Sequence, residues 1–213
     1  AMADSLNAHF LSRKLHSLTG LVPVGGFLLF HLWENSMARK GEQFYNEHVV
    51  QGIGDLLNYK LAIELCLGAA ILFHGVYGLV VWWQGRSNTR RFRYGGNLRY
   101  LLQRITAFTT LAFILWHVIT TRIAAGLDEA VENNLFLHMQ RIYEDPVNVV
   151  LYIVGIAGAT FHLANGLWLL GINWGLTTHP RAQKLSMWAC TALFVVITFL
   201  GVHAIWGFNQ RLF

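Results

Sequence analysis

The chain has 213 residues, 54% of them hydrophobic and only 13% charged, with 16 Lys and Arg against 11 Asp and Glu. So little charge excludes an ordinary soluble domain and suits a chain whose solvent is partly lipid. The net charge of +5 does not point to nucleic acid, because the basic residues lie between apolar runs, where they set membrane topology.

The stretch before the first apolar run has no small-residue cleavage site, so no signal peptide is expected. Five apolar runs follow, at about 18–33, 61–83, 105–119, 147–170 and 185–208. A span needs about 20 residues, so the first and third must extend through polar neighbours such as Ser17 and Thr121. Trp33, Trp82, Trp83, Tyr100, Trp168, Trp174 and Trp206 stand near the ends of runs, as interfacial aromatic belts do. Cys66 and Cys190 sit singly inside apolar runs, which excludes a C-x-x-C dithiol or an iron–sulfur motif. His179-Pro180 marks a turn before the fifth run.

The expected fold is all-α: one membrane domain, 1–213, built as a bundle of five transmembrane helices. Most Lys and Arg fall in the N-terminal segment and the loops at 84–104 and 171–184, led by Arg86, Arg90, Arg91 and Arg93. Nearly all acids fall in the other loops. The positive-inside rule then puts the N-terminus in the cytoplasm and the C-terminus outside.

A weak repeat carries the chemistry. Each of the first four runs contains an aromatic residue followed by histidine: Phe30-His31, Phe73-His74, Trp116-His117 and Phe161-His162, spaced 43, 43 and 45 residues apart. Ionisable groups inside a membrane are costly and usually functional. Neutral imidazole is a standard haem-iron ligand, and a low-spin b haem takes two, so four histidines make two pairs. No C-x-x-C-H occurs, so such haems are held by coordination and not by thioether bonds. Depth sorts the pairs. At 1.5 Å per residue, His31 and His117 lie about 20 and about 18 Å from the inner starts of their runs. His74 and His162 lie only about 13 and about 12 Å from the inner ends of theirs. His31 should therefore pair with His117 near the outer face, and His74 with His162 nearer the cytoplasm.

These residues sit in longer matching text: R-x-L-H-S-L-x-G-x-x-P-V-G-x-F-L-x-x-H at 13–31, H-x-V-Y-G at 74–78, L-Q-R at 102–104, W-H-V-x-x-T-R-I-A-A at 116–125, Y-I-V-G at 152–155, F-H-x-x-N-G-L-W at 161–168 and W-G-x-T-x-x-P-R at 174–181. In this the chain resembles the dihaem cytochrome b membrane anchor of succinate:quinone oxidoreductases, in its single-subunit form. The resemblance implies two haems b with the same pairing and a quinone, menaquinone, reacting near the outer haem. It also implies flavoprotein and iron–sulfur subunits on the cytoplasmic face of the cell's inner membrane. The dicarboxylate chemistry of succinate dehydrogenase or fumarate reductase would lie on those partners, and this chain would be the quinone-reactive part of the enzyme. One departure stands out: where some quinol:fumarate reductases carry a glutamate two residues before the fourth ligand, this chain has Thr160.

Arg13, His16, Ser17, Arg99 and Arg104 gather at the predicted cytoplasmic ends of the first and third helices, where they suit haem propionates or snorkelling and subunit docking. Arg122 could serve a propionate outside. Glu64 is the acid placed within an apolar run, and quinol oxidation needs a proton acceptor. Glu64, with Glu47 behind it, is the candidate; an interhelical hydrogen bond is the plainer role. Two other classes fit parts of the pattern: a haem-free transporter with a histidine proton relay, and the cytochrome b subunit of another respiratory complex. One histidine on each of four consecutive helices favours the dihaem anchor.

Overall fold

The computed structural model describes the backbone of residues 2–50 and 57–209 and the side chains of 9–50 and 61–209. Among these residues there is no strand, and five helices are long and apolar enough to cross a membrane: His9–Lys40, Leu61–Gln84, Gly95–Leu127, Pro146–Asn173 and Pro180–Phe208. They are called here the first to fifth spans. The first and third run well past the apolar stretches that predict them, because Lys, Arg and Trp at their ends carry the helix into the interface.

Local chemistry explains the ends and the irregularities. Asp145 and His179 accept from the backbone N–H groups of Val147 and Arg181, and Pro146 and Pro180 occupy the first helical turn of the fourth and fifth spans. A side-chain acceptor followed by proline is a strong helix start. The first span widens into a π turn at Gly20–Gly25, which contains Pro23. Proline lacks an N–H and clashes with the preceding turn, so the regular ladder opens there. The third span has a similar turn at Ile119–Ile123, just after His117.

The first four spans form a ring. The fourth packs against the third, the second against the first, and the π turn of the first touches both the second and the fourth. The second and third close the ring more loosely, while the fifth lies outside against the fourth and the first. Close approach uses small residues, as expected where lipid gives no hydrophobic drive between helices. Large apolar side chains such as Leu72, Val196 and Phe199 point outward, more than 60% exposed, which suits a lipid-facing surface.

The densest core sits at the predicted outer end. There the helix Leu135–Glu144, capped by Asn134 on the Leu137 N–H, buries Phe136, Met139 and Tyr143. Those side chains pack with Tyr45 of the loop after the first span, Tyr152 of the fourth span, and Ile205 and Phe208 of the fifth. This lid-like helix is amphipathic, with its apolar residues three and four apart.

Candidate functional site

Inside the ring the four histidines fall into two groups. The His31 and His117 rings lie 5.9 Å apart, centroid to centroid, at 69°. The His74 and His162 rings lie 6.2 Å apart at 84°. Each group joins facing spans, first to third and second to fourth.

The His74–His162 group, predicted to be the inner one, has a defined protonation pattern. His74 Nδ1 is 2.9 Å from the His16 carbonyl oxygen, and His162 Nδ1 is 3.3 Å from that of Gln103. A carbonyl can only accept, so both rings carry their proton on Nδ1 and leave the Nε2 lone pair free. The His16 ring stacks flat on His74, 4.1 Å away at 5°. A Cβ on Gly20 would collide with the His74 ring, so only glycine lets the first span pass this close.

The His31–His117 group, predicted to be the outer one, is framed by aromatic rings. Phe113 stacks on His117 at 5.6 Å and 20°, and Phe27 on His31 at 5.2 Å and 22°. Gly155 makes room for Phe113, whose ring a Cβ there would strike. Asn35 donates to the His31 carbonyl at 2.7 Å and accepts from the Tyr45 hydroxyl at 3.0 Å. Burial, and then the nearby charge of Glu34, pushes the Tyr45 phenol up from its ordinary value, so it stays a neutral donor.

Two imidazoles per group, with no acid among them, form the donor set that haem iron takes in b-type cytochromes. Among the described residues no three His, Cys, Asp or Glu gather as a site for a bare metal ion. Gly20 and Gly155 give room to the His74 and Phe113 rings, and the free Nε2 positions of His74 and His162 fit haem iron in the same way.

The remaining candidates are placed as follows. Arg13 donates to Gln84 at 2.8 Å, and Arg104 to the Trp82 carbonyl at 2.7 Å and the Tyr100 hydroxyl at 3.0 Å. Ser17 donates to the Lys14 carbonyl and accepts from the Trp174 indole at 3.1 Å. These side chains tie helix ends together at the predicted cytoplasmic side, where Arg104 caps the Trp82 carbonyl of the second span and Lys14 the Asn173 carbonyl of the fourth. Arg99 donates to Asn165 and Thr191. Arg122 is committed to Glu64 through two hydrogen bonds. Glu47 accepts from Gln43 within its own loop at 2.9 Å. Thr160 is fully buried and shares a 2.7 Å hydrogen bond with Thr198 of the fifth span. Sequence reading missed Tyr152, whose hydroxyl lies 3.0 Å from His117 Nδ1. A lone tyrosine in the apolar fourth run was the available signal.

The model for the family described as succinate dehydrogenase/fumarate reductase transmembrane subunit matches residues 89–200. The chain is also similar to the succinate dehydrogenase cytochrome b558 subunit of Bacillus subtilis (strain 168), with 36% identity over 203 residues, covering 95% of this chain and 98% of that protein. No solved structure matches. With more than half its length matched by the family model, and a relative of this identity along nearly all of it, the chain belongs to the family of succinate dehydrogenase/fumarate reductase transmembrane subunits.

Proposed function

We propose that this chain is the dihaem membrane anchor of a succinate:quinone oxidoreductase, carrying electrons between a membrane quinone, menaquinone, and iron–sulfur and flavin subunits on the cytoplasmic face. The observation that carries this reading is the meeting of four histidines from four consecutive spans as two groups inside one ring. His31 and His117 would hold the outer haem b, and His74 and His162 the inner one. Bound haem supplies reversible one-electron chemistry.

The chain's own part is to present imidazoles in the right tautomer and keep water away. The His16 and Gln103 carbonyls do the first for His74 and His162. Phe27 and Phe113 help with the second at the outer pair. Arg13, His16, Ser17 and Arg104 stand at the polar end below the inner pair, where propionates want donors. The basic loops support a cytoplasmic position for this end, in an inner membrane that the chain would cross five times. Glu64 and the polar groups at the outer end serve quinone-linked proton transfer, with Arg122 holding the carboxylate in place.

The test is gentle solubilisation of the whole complex, followed by haem quantitation and quinone-linked assays with succinate. Two haems b per chain, reducible by succinate and reoxidised by quinone, are expected. A colourless preparation contradicts the proposal and favours a transporter; quinone turnover without haem contradicts the haems' part in it.

A further inference from the structure

We propose that Tyr152 is the positioning residue of the outer pair: its phenol oxygen accepts the Nδ1 proton of His117 and so fixes that ring as an Nε2 ligand. This rests on the reading of His117 as a haem ligand.

The argument starts from an asymmetry. At the inner pair both Nδ1 protons go to backbone carbonyls. His117 has no such carbonyl: its Nδ1 faces the Tyr152 hydroxyl at 3.0 Å, across from the fourth span. A hydroxyl can donate or accept, so geometry alone would permit either tautomer. Ligation decides it. If Nε2 binds iron, the proton must sit on Nδ1, and in a water-poor interior it needs an acceptor. Tyr152 supplies the oxygen.

The phenol is well fixed for the task. Tyr152 is only 3% exposed. Tyr143, Trp116 and Phe113 pack edge-on against it, with centroids 4.8, 5.2 and 5.3 Å away. Gly155, one turn further along the same helix, admits the Phe113 ring that also stacks on His117. The oxygen therefore cannot swing away without disturbing the whole aromatic set.

Accepting the Nδ1 proton gives the imidazole more anionic character, which raises its basicity and favours the ferric iron it binds. Losing the acceptor should then raise the midpoint potential of that haem alone, and weaken its retention about 10–100-fold.

The experiment is a potentiometric titration of the purified complex in the wild-type and Tyr152→Phe forms, with His117→Ala and His74→Ala to assign the two components. The expected result is that the component lost in His117→Ala moves to higher potential in Tyr152→Phe, while the other stays. Tyr143→Phe, which alters a neighbour that does not touch His117, should move neither. The proposal is overturned if both potentials stay at their wild-type values, if the component lost in His74→Ala is the one that moves, or if the shift is downward. Should Tyr152→Phe lose the outer haem altogether, Tyr152→Gln, which keeps an acceptor, must retain more of it than Tyr152→Leu; equal retention in the two overturns the role. A wild-type complex without two haem components would instead overturn the underlying assignment of the histidines, independently of Tyr152.

Discussion

Arg122 holds Glu64 with two parallel hydrogen bonds, Nε to Oε1 at 3.0 Å and Nη2 to Oε2 at 3.1 Å, joining the second span to the third. The fork of a guanidinium matches a carboxylate in this way, and the pairing adds geometry as well as charge. Sequence reading gave the two residues separate tasks, Glu64 at the quinone and Arg122 at a propionate. They meet at a loosely packed seam between spans, in the interhelical hydrogen bond that was the plainer role for Glu64, and each offsets the other's charge.

This relationship sets the first prediction. Glu64→Gln keeps an oxygen for Arg122 but removes the charge and the proton acceptor. Both haems should remain, and quinone-linked turnover should fall several-fold, with Arg122→Met giving a similar loss. Steady-state succinate:quinone assays check it, and an unchanged rate in both variants would remove Glu64 from the proton path.

Gly20 supplies the second. Alanine there would place a methyl group in the His74 ring. Because a backbone segment cannot step aside as a side-chain tip does, the ring must turn out of line. Gly20→Ala should deplete the inner haem selectively while leaving the outer one near full occupancy, as read from haem content and the two-component redox titration.

Thr160 supplies the third. Its hydroxyl lies within hydrogen-bond reach of the Ile156 carbonyl and of the Thr198 hydroxyl, which in turn reaches the Phe194 carbonyl; one of the two hydroxyls donates across to the other and the second donates to its own carbonyl. Thr160→Val removes one interhelical hydrogen bond of the kind worth about 0.5–1 kcal/mol within a membrane. The haem spectrum and turnover should be unchanged, and thermal unfolding slightly earlier. A large loss of activity would instead give this position a place in proton transfer, despite the missing glutamate.

A fourth concerns the outer lid. Phe136 is 4% exposed and packs between Tyr45 and Phe208. Truncating such a ring costs about 3–5 kcal/mol. Phe136→Ala should loosen the helix Leu135–Glu144, seen as faster hydrogen exchange there, and make the outer haem more accessible to external reductants than the inner one.

Much of this architecture was legible in the chain. Five apolar runs give five spans, because lipid forces each run to satisfy its backbone internally. The rise per residue orders four histidines by depth, and the rings that share a depth are the ones found side by side. What was hidden lies between segments. The Glu64–Arg122 pair and the Tyr152–His117 contact depend on helix rotation and crossing, which no single run encodes. The lid helix Leu135–Glu144 is too short to stand out beside the spans, although Phe136, Met139 and Tyr143 keep a helical spacing. The π turns at Gly20–Gly25 and Ile119–Ile123 add residues within a span, and only Pro23 hinted at the first.

The dihaem assignment rests on how the histidines are paired. The most direct measurement is haem content with a resolved redox titration in four single variants: His31→Ala, His74→Ala, His117→Ala and His162→Ala. The account predicts that His31→Ala and His117→Ala remove one and the same component, and that His74→Ala and His162→Ala remove the other. If two substitutions within one pair removed different components, or if any of the four left both haems in place with unchanged potentials, the pairing would be contradicted.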